Sequence, residues 1–282
     1  MLLLSRILSS VSAFSVLVVL SIAVRWPAQW PYWLAIVILV AVATALLLIK
    51  LIKKEHSRFD LNAPDFNTSQ LAPTLSWWQL LPTPILLSSV ALGLLLFLET
   101  ELGRQLLIIL AAALIGLFWE NIRRHWQDVG RYPKHYLESA SLLIHVAVVW
   151  VAAAGFFRLL LDPTILPIFL ATNAYTISTI IIILAVFLLD FRAIWLSRYP
   201  ADRVWLLLVI ESLLVGEFFW MLNFLPLSPD VKAFLVAIEY YTMAALARSH
   251  FDGTLNLVVI RRYVYFIFAV SIAVLVTARW LV

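Results

Sequence analysis

The chain has no cysteine in 282 residues. Disulfides, thiolate metal ligands, cysteine nucleophiles and palmitoylation are therefore excluded, and the redox compartment is not legible. Charge is also scarce: 13% of residues are Asp, Glu, Lys or Arg, about half the ~25% of an ordinary soluble domain. There are only seven glycines and no Gly-x-x-x-Gly pair, so close helix packing must rest on Ala and Ser instead of glycine seams. All twelve prolines fall in loops or near the ends of apolar runs. The helices should be unbroken, without the Gly- or Pro-interrupted segments from which many secondary transporters build midplane sites. The five lysines, Lys50, Lys53, Lys54, Lys134 and Lys232, all lie at run ends or in loops. None is placed to form a Schiff base in mid-membrane, as retinal proteins require. Only His145 of the five histidines falls inside an apolar run, so no histidine pair can ligate haem across helices. Neither a cofactor nor a metal is expected. His-Glu-x-x-His, Gly-x-Ser-x-Gly and a phosphate-cradling glycine loop are all absent.

What is present is apolar length. Hydrophobic residues make up 64% of the chain, and the mean hydropathy is +1.00. A spanning helix needs about 20 mostly apolar residues. Nine runs qualify, at 7–24, 32–52, 81–98, 105–122, 139–161, 167–189, 204–224, 231–248 and 261–282. The expectation is an all-α, polytopic transmembrane bundle of about nine spans, forming one integral membrane domain over 1–282. Run 7–24 reads as a retained span, not a signal peptide: its n-region has one charge, Arg6, and no small-x-small site follows. The connections are short except for 53–80, which holds Lys53, Lys54, His56 and Arg58, then a Pro/Asn/Ser stretch ending in Trp77 and Trp78. That segment reads as an irregular loop.

Basic residues orient the chain. Fifteen of the 20 Lys and Arg residues lie at the N-terminus or in alternate loops after runs 2, 4, 6 and 8. The opposite side has five: Arg25, Arg104, Arg158, Lys232 and Arg279. By the positive-inside rule the N-terminus and the 53–80 loop are cytoplasmic and the C-terminus is extracytoplasmic. Trp26, Trp30, Trp33, Trp126, Trp195 and Trp205 flank runs, as interface-seeking rings do. The net charge of +4 thus serves orientation and points to membrane lipids as partners, not to nucleic acid. Protein partners are open, and a plasma membrane is the expected location.

Ionisable groups inside spans cost a few kcal/mol each on insertion scales, so each needs a reason. Glu211 and Glu217 lie in run 7, Glu239 in run 8, His145 in run 5 and Asn173 in run 6. At ~1.5 Å per residue, Glu217, Glu239 and Asn173 fall ~18–20 Å from the cytoplasmic surface, and His145 and Glu211 ~9–10 Å from it. Two polar layers are expected. Glu211 and Glu217 are six apart, about 120° around a helix, so one face cannot hold both. Carboxylates at one depth would share a proton.

Three readings follow. The first is transport or small-solute binding through Glu217, Glu239 and Asn173, with His145 and Glu211 below them. The second is a structural or assembly protein whose polar residues join helices by hydrogen bonds. The third is a lipid-modifying enzyme at the cytoplasmic face, where segment 120–138 holds Arg123, Arg124, His125 and His135. There arginine would bind phosphate and histidine would move protons. With no catalytic motif, the balance leans away from an enzyme. The segment Gly216 to Pro226 is rich in aromatics and reads as a packed outer turn between runs 7 and 8, or as an aromatic pocket.

Overall fold

A computed structural model describes residues 2–26, 29–59, 80–127, 134–161, 172–197 and 204–277. Among these residues there are nine helices and no strand: α1 Leu2–Arg25, α2 Trp30–Phe59, α3 Pro82–Leu95, α4 Glu101–Gln127, α5 Lys134–Leu161, α6 Ala174–Ser197, α7 Trp205–Leu222, α8 Pro229–Phe251 and α9 Leu257–Thr277. Seven of them are long and apolar enough to cross a membrane. The exceptions are α3, with 14 residues, and α8, which carries Asp230, Lys232, Glu239 and Arg248 along an otherwise apolar length. Large apolar side chains stand exposed along most of the helices, far beyond what a water-soluble surface tolerates. This is a membrane protein's surface.

Three of the boundary differences from the sequence expectation bring polar residues into helices. Helix α2 continues through Lys53, Lys54, His56 and Arg58, so those residues extend a helix instead of opening a loop. At 30 residues it is ~45 Å long, more than a bilayer core needs. The rest of the expected loop, 60–79, lies outside the described residues. Helix α4 runs past the expected 122 to Gln127. Helix α6 runs to Ser197 instead of 189, which brings Asp190 and Arg192 into a span.

The chain divides into two compact units, 1–141 and 142–282. In the first, α1 packs on α2 and α4, and α3 packs on α2 and α4. Val37, Ala41, Ala45 and Leu48 of α2 are buried, as are Ile108, Ala111, Ile115, Phe118 and Ile122 of α4. Both are stripes at three- and four-residue spacing, the signature of a helix with one packed face. Gly116 of α4 lies where a Cβ would come 3.2 Å from Ala13 Cβ of α1.

In the second unit, α7 packs on α6 and α8, and α9 on α8. The turn from α7 to α8 closes when Asn223 Nδ2 donates to the Phe219 carbonyl at 3.0 Å. Pro229 then opens α8, where its missing N–H costs nothing. Asp230 sits in the first turn, favoured by the helix dipole, and accepts both bonds from Arg158 Nη2 of α5 at 2.9 Å. At the other end of α8, Gly253 takes a left-handed φ of 67°. Its N–H donates to the His250 carbonyl, and the Thr254 N–H to the Ser249 carbonyl, which is a Schellman stop. Asn256 Oδ1 then accepts the Val259 N–H at 2.9 Å and caps α9. No described residue of α9 is buried, as expected of a span surrounded by lipid.

One glycine sets the α6–α7 spacing. A Cβ on Gly216 would overlap the Ile183 side chain of α6. Gly216→Ala should therefore destabilise the unit by about 1–2 kcal/mol through overpacking. Thermal unfolding in lipid nanodiscs measures this, and Ile183→Ala in the same chain should restore most of the loss. An unchanged melting temperature in the single variant would refute the close contact.

Candidate functional site

Four helices of the second unit bring ionisable side chains to one place, and the spacing of their buried stripes explains which residues arrive. On α7, Leu208, Glu211, Ser212, Val215, Phe219 and Leu222 are buried. Glu211 falls on this stripe, and Glu217, two positions past Val215, does not. On α8, the same spacing links Ala233, Val236, Tyr240, Ala244, Ala247 and Phe251, with Arg248 beside them; Glu239 is one position off. On α5, Leu142, His145 and Val149 share a face, and on α6, Ile182, Val186 and Asp190 do.

A cavity of about 30 Å³ results, lined by Leu142, His145, Asp190, Ala193, Glu211, Tyr240, Ala244, Ala247, Arg248 and Phe251. It has room for one or two water-sized ligands, and the three alanines supply that space. His145, Asp190, Glu211 and Tyr240 are all buried, whereas Ala244, Ala247, Arg248 and Phe251 are half-buried. The cavity therefore opens toward the C-terminal end of α8. Toward the other end the packing is aromatic: Phe157 stacks on Phe219 with ring centroids 4.5 Å apart, and Lys232 Nζ lies 5.6 Å above the Phe157 ring.

The hydrogen bonds have a direction. Arg192 Nη1 lies 3.1 Å from His145 Nε2. A guanidinium only donates, so Nε2 accepts and the ring's proton is assigned to Nδ1. Nδ1 meets Tyr240 Oη at 3.4 Å, a long and weak contact. Tyr240 Oη in turn donates to Asp190 Oδ1 at 2.8 Å. Donors run from Arg192 through His145 and Tyr240 and end on Asp190. Two buried carboxylate oxygens, Asp190 Oδ2 and Glu211 Oε1, have no hydrogen-bond partner. Unmet buried acceptors are costly, so a fold that keeps two of them on one cavity calls for an explanation. Among the described residues no group of three His, Cys, Asp or Glu side chains is placed to hold a metal ion.

The sequence candidates separate here. His145 and Glu211 line the same cavity. Glu217 is exposed, Glu239 is half-buried, and Asn173 is exposed at the start of α6; none of the three lines that cavity. Glu217 stands five residues before the end of α7, ~7–8 Å from it. Of the cytoplasmic-face set, Arg123 is buried and bonds both oxygens of Glu120 through Nε and Nη2 at 2.8 and 2.6 Å. Arg124 Nε takes the same Glu120 at 2.8 Å. These arginines already hold an anion. His125 and His135 lie on α4 and α5, and their side chains are outside the described residues. In the aromatic turn, Phe219 is buried in packing, and Trp220 meets Phe224 edge-on at 5.0 Å.

Asp190 and Arg192 escaped the sequence reading, and nothing in it joined Tyr240, next to Glu239, or Arg248, at the end of run 8, to the intramembrane carboxylates. The first two follow the last strongly apolar stretch of α6 and resemble the start of a loop. The available signal was helical spacing: Asp190 stands four residues after Val186 and eight after Ile182. Arg248 is likewise eight residues after Tyr240. Comparison with protein-family models, curated proteins and solved structures finds no match to this chain.

Proposed function

We propose that the chain is a nine-span integral membrane protein of the plasma membrane, with its N-terminus cytoplasmic and its C-terminus outside, and that it binds a small solute for transport through intramembrane carboxylates. The site is the cavity between α5, α6, α7 and α8. One observation carries the reading: Asp190 Oδ2 and Glu211 Oε1 are buried, unpartnered and on the same cavity. Carboxylates serving only to join helices would have those oxygens bonded, and intramembrane ionisable groups mark ion and solute paths. The distribution of basic residues puts the C-terminal end of α8 on the cytoplasmic side. The cavity then opens inward and is closed outward by Phe157 and Phe219. His145 and Glu211 remain from the first sequence reading, joined by Asp190, Tyr240 and Arg248.

The absence of cysteine provides the test. Single Ala247→Cys and Ala244→Cys variants, in oriented membrane vesicles, should react with a membrane-impermeant thiol reagent added from the cytoplasmic side. Ala233→Cys, buried at the far end of α8, should stay unreactive from both sides. Unreactive Ala244→Cys and Ala247→Cys would remove the open cavity, and with it the solute-binding reading.

A further inference from the structure

The charges around the cavity identify its ligand, an inference that rests on the solute-binding reading above. Asp190 and Glu211 each present a free oxygen to it. Each is 5% exposed, so neither is solvated by bulk water. The cation among the lining residues is Arg248. From α5, His145 directs its proton-bearing Nδ1 at Tyr240, because Arg192 of α6 occupies Nε2. From α8, Tyr240 directs its hydroxyl hydrogen at Asp190 Oδ1. Imidazole and phenol therefore add no charge to the cavity. Within the lining two carboxylates face one guanidinium, in a volume that holds one or two water-sized ligands; the Arg192 charge stands outside the lining, behind the His145 ring. Like charges in a low-dielectric site share a proton instead of both ionising. Free carboxylate oxygens call for a donor, which excludes an anion as ligand.

We propose that Asp190 and Glu211 hold a single exchangeable proton between them across this cavity. Arg192, His145 and Tyr240 form a positioning chain that occupies Oδ1 of Asp190 and leaves Oδ2 for the proton. The proton comes from a hydronium entering at the Arg248 end, leaving water behind, and forms one O–H bond to a carboxylate oxygen. Release reverses that step. The protons of Tyr240 and His145 stay where they are, and no other bond changes.

Infrared difference spectroscopy of the protein in lipid nanodiscs, across a pH series, reads this directly. The expected result is one protonated-carboxyl C=O band whose intensity titrates as one proton per chain. Asp190→Asn and Glu211→Gln should each abolish the band, because the remaining carboxylate is balanced by Arg248. Arg248→Gln should double its intensity, since two uncompensated carboxylates then take two protons. Tyr240→Phe should keep the band and shift its frequency. Melting curves identify any variant that fails to fold, and the Arg248→Gln result stands independently of the two carboxylate variants. The proposal is overturned if the wild-type band is absent, if only one carboxylate variant removes it, or if added sodium at fixed pH displaces it, which would make the ligand a metal cation. Thiol labelling of Ala247→Cys separates the two levels: a reactive cysteine without a shared-proton band sinks the proton and leaves the solute site standing, whereas an unreactive one sinks the site itself.

Discussion

Phe219→Ala should lower the unfolding free energy by about 2–3 kcal/mol and open the aromatic end of the site. Phe219 is fully buried and stacks on Phe157 at 4.5 Å. In a soluble core the change would also forfeit the transfer of a ring out of water. In a bilayer that part falls away, because lipid tails are as apolar as the protein interior. The cavity remains: roughly 100 Å³ at ~24 cal/mol per Å³ gives about 2.4 kcal/mol. The functional consequence follows from position. Phe219 lies two turns beyond Glu211 on the same stripe of α7, so a void there joins the carboxylate cavity to the end that Phe157 closes. In the variant carrying both Phe219→Ala and Ala247→Cys, the cysteine should become reactive from the extracytoplasmic side as well. Reversible unfolding in bicelles measures the first effect, and two-sided labelling the second. Unchanged stability would show that the pair is not tightly packed. Lost stability with one-sided labelling would show that another layer provides the seal.

Asp190→Leu should cost a similar amount, about 2–3 kcal/mol, for a different reason. A single interhelical hydrogen bond in a membrane averages only ~0.6 kcal/mol. If that were all, the substitution would hardly register. However, the Tyr240 hydroxyl would lose its acceptor while having no exposure to water, and a buried donor left unmet costs about 1–3 kcal/mol. Arg248 would at the same time lose one of the carboxylates it faces across the cavity. The two contributions separate in a double-variant cycle. Adding Tyr240→Phe to Asp190→Leu removes the orphaned hydroxyl and should restore about 1 kcal/mol or more. Asp190→Asn keeps an acceptor for Tyr240 and should melt close to the wild type. If Leu and Asn at 190 melt alike, the hydroxyl is not held by this carboxylate and the positioning chain ends at Tyr240.

Both predictions concern residues whose roles were unequally visible in the sequence. Apolar run length exposed the helices, because a span must satisfy its backbone internally and be apolar over a fixed distance. It failed where polarity entered a helix: Lys53 to Arg58 extend α2, and Asp190 and Arg192 extend α6. Hydropathy registers a drop there, whereas the helix continues as long as its backbone bonds are met. Depth counted along the chain paired His145 with Glu211 at one level, and both line the cavity. The same count set Glu217, Glu239 and Asn173 together, although Glu217 and Asn173 face outward. Depth fixes height along an axis but not the angle around it, and angle decides what a side chain meets.

The sequence by itself determined the class of protein, an all-helical chain with membrane-crossing segments, because composition and run length act one residue at a time. It also determined that Glu211 and Glu217 take different faces, since the ~100° step of an α-helix is local. Only the tertiary structure decided that Glu211 is the inward one and that Asp190 and Tyr240 join it. That choice belongs to the partners: Gly216 admits Ile183 against α7, which fixes the rotation of one helix on the next. A site made of four helices exists only once those rotations are set together.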